Sequence, residues 1–268
     1  LAYLLWSNTE YKRFDEFSGL KIADILTKIK KETFPTKAIE HSVPEWLVEI
    51  LEQELGSVWE REVIALNEQA STILRANTLK ISPKSLVDEL ACENISAFTI
   101  NGYPDAVQLE EKKNVFLTSA FKDGFFEVQD ASSQKIGRFL EVAEGQRVVD
   151  ACAGAGGKTL HLSALMKNKG QIIALDIFEW KLAELKRRAK RAGAHNIETR
   201  LISDNKVIKR LHEKADRLLI DAPCSGLGVL KRNPDSKWKI DTEFIDRIKV
   251  EQQKILQDYS KMLKKGGK

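Results

Sequence analysis

Residues 148–159 read VVDACAGAGGKT, an apolar run that ends in an acidic residue and passes into a glycine-rich turn. The pattern predicts a strand that stops at Asp150 and a helix that begins near Gly157. Gly154 and Gly156 lack a Cβ, so the backbone between these elements can turn sharply and bring its N–H groups close to a ligand. Because the first amides of a helix are unpaired and carry partial positive charge, the turn suits an anionic group.

Two common nucleotide-binding motifs fit this turn only in part. A Walker A loop ends in Gly-Lys-Thr, as here, but requires a glycine where Cys152 stands. A dinucleotide fingerprint that starts at Gly154 requires its third glycine where Thr159 stands. A ligand that presents a carboxylate to the helix, such as S-adenosylmethionine, fits the same turn. A strand-to-helix connection that binds nothing fits it as well.

The composition is that of a folded protein. The chain has 268 residues, of which 43% are hydrophobic and 31% charged, enough for one large or two ordinary globular domains. Its net charge of +4 permits a nucleic-acid partner without requiring one. Cys92, Cys152 and Cys224 form neither a disulfide framework nor a zinc spacing, so we expect no metal and a cytoplasmic location. No run of about 18 apolar residues is present, so we expect no membrane association.

The apolar periodicity changes twice along the chain, which predicts three segments. Residues 1–70 are expected to be helical, with one stripe from Ile22 to Ile29 and another that starts at Trp46 and stops at Gly56. Residues 71–131 are expected to form a small α+β module, and residues 132–268 an α/β domain. Within the module we predict a helix behind Ser82-Pro83 and strands near Val107, 115–117 and 125–128.

The third segment predicts a parallel sheet with helices on both faces, because strands and helices alternate along it. In such sheets ligands bind at the carboxyl ends of the strands, where the strand order reverses. Each predicted strand ends, within a residue or two, in an aspartate. A single aspartate at such a position is usually a turn or helix-capping residue, but four at one edge indicate a site. The aspartates are Asp150, Asp176, Asp204 and Asp221, the strands 147–152, 171–176, 197–203 and 217–221, and the helices 158–168 and 179–193.

A second informative stretch, residues 218–239, reads LLIDAPCSGLGVLKRNPDSKWK. A buried strand is expected to place Asp221 and Cys224 at the rim of the sheet, where Pro223 stiffens the backbone beside the thiol. A lone cysteine is more often a small core residue than a nucleophile. This one follows a carboxylate and precedes several cations, so a polyanion could reach it. The cations are Lys231, Arg232, Lys237 and Lys239.

At these two stretches the sequence resembles the RNA cytosine-5 methyltransferases of the Nop2/Sun class, in particular the bacterial 16S ribosomal RNA methyltransferase B (Sun/Fmu) branch. The resemblance runs from the helices near Trp46 to the end of the chain. It implies a Rossmann-like class I methyltransferase domain over 132–268, preceded by a small α+β RNA-binding module over 71–131. It rests on LRANTLKISP (74–83), GFFEVQDASSQ (124–134), DACAGAGGKT (150–159) and DAPCSGLGVLKRNPDSKW (221–238).

Two departures from the family's pattern bear on the site. The family's turn reads D-x-C-A-A-P-G-G-K-T, whereas Gly154 and Ala155 stand here for the second Ala and the Pro, so we expect the same turn with a less rigid loop. The family also carries a Thr-Cys-Ser segment whose Cys is the attacking nucleophile, and residues 1–268 contain no such segment. The chain starts at Leu1 without a methionine and stops at a Gly-Gly-Lys turn signal, so we expect a longer polypeptide whose C-terminal strands follow Lys268.

The resemblance implies methylation of carbon 5 of a cytosine through a covalent adduct. A thiolate adds to carbon 6, and this makes carbon 5 nucleophilic enough to accept a methyl group. The resemblance gives Asp221 the role of protonating or hydrogen-bonding N3 of the base, and gives Cys224 the role of assisting release of the enzyme. DNA cytosine-5 methyltransferases instead attack with the Cys of their Pro-Cys pair, the arrangement that the residues alone would favour for Cys224.

The resemblance places the cofactor, S-adenosylmethionine, on the glycine turn, with its carboxylate near the helix N-terminus. Asp176 is expected to accept two ribose hydroxyls and Asp204 the adenine amino group. Lys158 either holds the Asp221 region electrostatically or is a solvated lysine of the first helical turn. The predicted cofactor-binding residues are Cys152, Ala153, Gly154, Ala155, Gly156, Gly157, Lys158, Asp176, Asp204 and Asp221.

The predicted partner is RNA, and the resemblance implies ribosomal RNA. The protein is expected to be a monomer. Lys231, Arg232 and Lys237 are ranked as RNA contacts above the basic helix over 180–191, whose charges are typical of a solvated face. Arg75 is either an RNA contact or a charge that protects a strand edge.

The alternative function is a non-catalytic RNA-binding or ribosome-assembly protein that keeps the fold. A P-loop nucleotidase is disfavoured because the sequence offers no evident set of Mg²⁺ ligands.

Overall fold

The structure is a computed structural model that describes residues 36–268 together with Lys21 and Thr27, and it divides into two compact units. One unit comprises the described residues up to Glu68 together with Val229–Lys239. The other comprises Gln69–Gly228 and Ile240–Lys268. A boundary therefore lies close to the predicted one at residue 70, whereas 71–131 and most of 132–268 lie in one unit. The stripe predicted from Ile22 to Ile29 lies, apart from Thr27, outside the described residues.

The first unit is helical in its described part. The second stripe predicted from the sequence is confirmed as a helix that starts after Pro44 and stops at Gly56, which adopts φ +55°. Buried side chains of this helix and of the next one, such as Leu47 and Val63, form the apolar interior of the unit. The helices are α1 (Lys37–Glu40), α2 (Glu45–Leu55) and α3 (Trp59–Asn67).

An antiparallel sheet with strand order β2-β3-β1-β4 opens the second unit. Its helix α4 starts as predicted, because the Ser82 hydroxyl accepts a hydrogen bond from the Ser85 amide and caps the first turn. The strand predicted at 115–117 is wrong. Val115–Leu117 is a short 3-10 helix, capped by the side chain of Asn114. The elements are β1 (Ile73–Ala76), α4 (Pro83–Cys92), β2 (Ala97–Thr99), β3 (Ala106–Leu109), α5 (Ser119–Lys122) and β4 (Phe126–Val128).

A parallel sheet with strand order β7-β6-β5-β8 follows in the same unit. The chain moves outward from β5 through β6 to β7 and then returns to the other side of β5, so the order reverses beside β5. The predicted parallel α/β sheet is confirmed, and β5, β7 and β8 each end two residues earlier than predicted. The elements are α6 (Ala131–Phe139), β5 (Arg147–Asp150), α7 (Gly157–Leu165), β6 (Gln171–Asp176), α8 (Glu179–Ala192), β7 (Ile197–Leu201), α9 (Lys206–Arg210), β8 (Arg217–Leu219) and α10 (Thr242–Tyr259).

Helices cover both faces of this sheet, because its strands are apolar on both sides. Val148 of β5 packs with Leu162 of α7 on one face. The next residue, Val149, packs with Ile208 of α9 on the other face. Adjacent strand residues point to opposite faces, so one strand contributes to both cores.

The last residues of the chain run beside β8. Leu263 pairs with Ala215 in the parallel direction, and the Leu218 amide donates to the carbonyl of Lys268 at 2.9 Å. This segment therefore lies along the edge of β8 that faces away from β5.

Candidate active site

The glycine turn leaves β5 between its two neighbouring strands. The Ala151 amide donates to the Leu219 carbonyl of β8, and the Ala153 amide donates to the Leu175 carbonyl of β6, each at 2.8 Å. Backbone pairing therefore continues beyond the end of β5. It holds the start of the turn at the carboxyl ends of both neighbours.

Two glycines in the turn have left-handed backbone conformations. Gly156 caps α7 with φ +86°, and a Cβ there would lie 2.5 Å from Cγ of Leu185. Gly154 has φ +55°, and a Cβ there would meet no atom within 4 Å. Gly156 is thus required by both conformation and packing, while the backbone at Gly154 borders open space that a ligand can enter.

Arg75 fits neither of the two roles that the sequence left open, an RNA contact or a charge at a strand edge. It is buried in β1, which lies between β3 and β4. Its guanidinium donates to the Gly157 carbonyl of the turn and to Oε1 of Gln129. Burial lowers the pKa of Arg75 to about 10, so the group remains protonated at neutral pH. The prediction of Arg75 as an RNA contact is therefore wrong, because its donors are directed into the protein.

Asp176 is the last residue of β6, and its side chain accepts a hydrogen bond from the backbone of the turn. Its two carboxylate oxygens accept the amides of Gly154 and Phe178, each at 2.8 Å. The carboxylate is buried beneath the turn, yet each oxygen keeps a second lone pair for a further donor. Asp176 therefore lies at the carboxyl edge of the sheet and shapes the turn, and its role as a ribose acceptor stays a prediction.

Asp204 lies in a more open setting. It follows β7 by three residues and accepts the Lys206 amide at 2.7 Å, which starts α9. Its side chain is exposed, so the structure shows a turn residue at the same sheet edge as Asp176. Its assignment to the adenine amino group stays a prediction.

Asp150 and Thr159 form a buried pair below the turn. The Thr159 hydroxyl donates to Oδ2 of Asp150 at 2.8 Å, and both side chains are shielded from solvent. Burial raises the pKa of Asp150 to about 7, and the negative charge of Asp221 adds to this effect. In a Walker A loop the hydroxyl of this Thr would bind Mg²⁺. Here it is turned inward, which further disfavours a P-loop nucleotidase.

Lys158 and Asp221 form an ion pair across the reversal point of the sheet. Nζ of Lys158, in the first turn of α7, lies 2.5 Å from Oδ2 of Asp221, which follows β8. Asp221 is half exposed, so its carboxylate is accessible from solvent. Of the two roles that the sequence left open for Lys158, the structure shows the electrostatic one.

The cysteines near this pair have different surroundings. Burial and the neighbouring carboxylates of Asp150 and Asp176 raise the pKa of Cys152 to about 12, which makes it a poor source of thiolate. Cys224 is exposed on the segment that follows Asp221. That segment is held by α10, because Nε2 of Gln252 donates to the Pro223 carbonyl at 2.7 Å. Nothing in the sequence of α10 indicated this contact.

The four residues predicted to bind RNA differ in accessibility. Lys237 is buried and donates to Oδ1 of Asn67 at 3.1 Å, so its prediction as a surface contact is wrong. Lys231 pairs with Glu68 at 3.1 Å and stays partly exposed, and Arg232 is exposed. Together with the buried Arg75, these placements leave Lys231 and Arg232 on the surface.

The basic helix α8 is also less uniform than its sequence suggests. Arg188 and Arg191 both pair with the buried carboxylate of Glu127 in β4, at 2.8 and 2.5 Å. Arg188 in addition donates to the Ala155 carbonyl of the turn at 2.8 Å. The expectation of a solvated basic face is therefore wrong for these two residues. Glu127 lies within the quoted GFFEVQDASSQ stretch, but nothing there indicated its partners.

The residues at this edge fit S-adenosylmethionine. Asp176 and Asp204 offer carboxylate oxygens that can accept hydrogen bonds from hydroxyl or amino groups, and Gly154 borders open space. Within the described residues no cluster of histidine, cysteine, aspartate and glutamate is arranged to hold a metal ion. In the same part of the chain no helix is long and apolar enough to cross a bilayer.

Two family models match the chain. Residues 138–268 match the model described as 16S rRNA methyltransferase RsmB/F, and residues 43–116 match the ferredoxin-like domain of RsmF/B-like methyltransferases. The chain belongs to the RsmB/F methyltransferase family. This confirms the resemblance to the 16S ribosomal RNA methyltransferase B branch, and it supports S-adenosylmethionine, the methyl donor that the resemblance implied, as the cofactor.

Individual proteins agree with the family match. "Probable ribosomal RNA small subunit methyltransferase B" of Synechocystis sp. is 35% identical over 85% of this chain and 52% of its own length. The crystal structure of PH0851 has a TM-score of 0.83 at 29% identity, over 98% of this chain and 62% of that one. A methyltransferase homolog protein from Pyrococcus horikoshii has a TM-score of 0.75 at 28% identity, over 86% and 73%. The chain spans about half the length of the curated relatives it matches.

Proposed function

We propose that the protein methylates carbon 5 of a cytosine in RNA, with S-adenosylmethionine as methyl donor, and that the RNA is that of the small ribosomal subunit. The names of the curated relatives support the RNA class. The observation that carries the proposal is the ion pair between Lys158 and Asp221, because it joins the glycine turn to the segment that bears Cys224. A cofactor held by the turn and a base held by Asp221 would thus meet at one edge.

In this proposal the backbone of residues 152–158 and the carboxylates of Asp176 and Asp204 hold the cofactor. Asp176 is the best supported of these residues, because it lies under the turn at the end of β6. S-adenosylmethionine supplies an electrophilic methyl group when bound. The surrounding residues orient it and exclude water from it.

Asp221 and Cys224 act on the base. A thiolate adds to carbon 6. Asp221, in its protonated form, donates a hydrogen bond or its proton to N3, which stabilises the charge that develops there. After carbon 5 has taken the methyl group, a base accepts the proton of carbon 5 and the C6–S bond breaks, which expels the thiolate and restores the double bond between carbons 5 and 6. Cys224, exposed beside Asp221, assists this last step.

The attacking thiol is proposed to come from a Thr-Cys-Ser segment of the family, which residues 1–268 do not contain. Cys152 does not suit this role, because its thiol is held protonated. Leu263 pairs with Ala215 in the parallel direction beside β8. A strand that continued this way would end at the edge that holds Asp221 and Cys224.

The proposal is tested with RNA of the small ribosomal subunit and S-adenosylmethionine labelled in its methyl group. A protein that carries both residues 1–268 and the Thr-Cys-Ser segment is expected to place the label in 5-methylcytosine. Residues 1–268 alone are expected to bind the cofactor and transfer no label. RNA binding without transfer by the longer protein would favour the alternative, an assembly protein that keeps the fold. Label at another atom would reject the cytosine assignment.

A further inference from the structure

Two arginine side chains hold carbonyl groups on either side of Gly156 in the glycine turn. Arg188 of α8 donates through Nη1 to the Ala155 carbonyl at 2.8 Å. Arg75 of β1 donates through Nη1 to the Gly157 carbonyl. The turn is therefore fixed from two directions by charged donors, and neither of them belongs to the turn or to the strands beside it.

Both arginines are themselves anchored by the edge of the antiparallel sheet. Arg188 donates through Nε and Nη2 to Oε2 of Glu127, at 3.2 and 2.8 Å, and Arg75 donates to Oε1 of Gln129. Glu127 and Gln129 are two residues apart along β4 and its extension, so their side chains point to the same side. One face of the small sheet thus orients both donors.

This arrangement offsets a property of the turn's own sequence. Gly154, Gly156 and Gly157 give the backbone a large conformational freedom that must be lost when a ligand is bound. Hydrogen bonds from charged donors are the stronger kind and restrict this freedom before the ligand arrives. Because Arg75 is buried and Arg188 is mostly buried, solvent screens these bonds only weakly.

We propose that Arg75 and Arg188 are positioning residues for the cofactor, and that Glu127 and Gln129 orient them. The inference rests on the proposed function in one respect, since it requires the glycine turn to bind S-adenosylmethionine. It goes beyond that function by making cofactor affinity depend on the small antiparallel sheet. Neither arginine is expected to contact the reacting atoms.

The test is a calorimetric titration of S-adenosylhomocysteine, the demethylated product, into wild-type protein and the variants Arg188→Ala and Arg191→Ala. Arg191 is a matched control, because it also pairs with Glu127 but its other contact is the ring of Phe121, at 3.9 Å from the guanidinium carbon. Both variants lose an ion pair to Glu127 and are expected to lose similar thermal stability. Only Arg188→Ala is expected to bind the ligand more weakly, by about tenfold, which corresponds to ~1.4 kcal/mol.

A second variant keeps the test decisive if Arg188→Ala does not fold. Arg188→Lys retains the charge beside Glu127 but lacks the planar fork needed to reach Glu127 and the Ala155 carbonyl together, so it should also lose affinity. In an active protein these variants should raise KM for S-adenosylmethionine and leave kcat close to wild type. Wild-type affinity in an Arg188 variant that folds would overturn the inference and leave the proposed function standing. Failure of the wild-type protein to bind would reject the proposed function together with the inference.

Discussion

Lys158 Nζ lies 2.5 Å from Asp221 Oδ2, which connects the first turn of α7 to the residue that follows β8. These two elements flank the point where the strand order reverses, the place where ligands bind in open parallel sheets. The ion pair fixes a carboxylate at the edge of the candidate cofactor site, close in sequence to an exposed thiol. It is the relationship on which the proposed division of roles depends.

Replacement of Lys158 by Met should slow methyl transfer more than it affects folding. The pair is partly exposed, so its loss should change the free energy of unfolding by less than ~1 kcal/mol. Asp221 would lose the partner that orients it toward the base, and kcat should fall by about tenfold or more. Lys169→Met, which removes an exposed pair with Glu144, is the control and should leave kcat unchanged. Equal rates in Lys158→Met and wild type would show that the pair has no role in orienting Asp221.

Asp176→Ala should weaken the binding of S-adenosylhomocysteine by about 1–3 kcal/mol, the cost of losing a polar contact in a shielded site. The loss has two sources, because Asp176 also accepts the amides of Gly154 and Phe178. Asp204→Ala should have a smaller effect, since that side chain is exposed. Calorimetry measures both values, and unchanged affinity in Asp176→Ala would eliminate the ribose assignment.

The second unit should become less stable as the pH rises, because Asp150 is buried and ionises at high pH. Burial raises the pKa of Asp150 to about 7 from an ordinary value of 3.8, so between these values the folded state holds a proton that the unfolded state releases. The contribution of protonated Asp150 to the free energy of unfolding is therefore fully present below pH 4 and is lost as the pH rises through 7. Asn cannot ionise. As the pH rises from 5 to 8, the free energy of unfolding of Asp150→Asn should therefore increase by roughly 1–3 kcal/mol relative to that of wild type. Urea unfolding at several pH values tests this, and parallel pH profiles for the two proteins would contradict it.

RNA binding should depend on Lys231 and Arg232 and much less on Lys237. Neutralising the two exposed cations should lower the dependence of log affinity on log salt by about 0.7 for each phosphate contact that is lost on single-stranded RNA. Neutralising Lys186 and Lys190, exposed on α8, is the matched control and should leave the slope unchanged. The opposite result would place the RNA on α8. Lys237→Ala should instead destabilise the first unit, because it removes the hydrogen bond that this buried lysine donates to Asn67.

The sequence predicted the parallel sheet and the position of its site because both leave periodic or local signals. Asp176 and Asp221 follow apolar runs, and parallel strands end at a common edge, so their neighbourhood could be inferred without coordinates. The glycines marked the turn for a comparable reason, since a left-handed conformation at Gly156 is a local requirement.

The partners of charged side chains could not be predicted, because they are set by tertiary contacts. Arg188 and Glu127 are 61 residues apart, and Lys158 and Asp221 are 63 apart. Nothing in the periodicity of α8 separates Arg188 from the exposed Arg187 beside it. At 115–117 the apolar pattern predicted a strand, but the Asn114 side chain accepts a hydrogen bond from the Phe116 amide and starts a 3-10 turn instead.

The most direct measurement is the fate of RNA on Cys224→Ala in a protein that contains both residues 1–268 and the Thr-Cys-Ser segment. If Cys224 assists release, the variant should still add to carbon 6 and methylate carbon 5, and then retain the RNA covalently. A slowly migrating band on a denaturing gel that carries the methyl label is the expected result. If Cys224→Ala abolishes both the label and the band while the cysteine of the Thr-Cys-Ser segment is dispensable, then Cys224 is the nucleophile and the proposed roles are reversed.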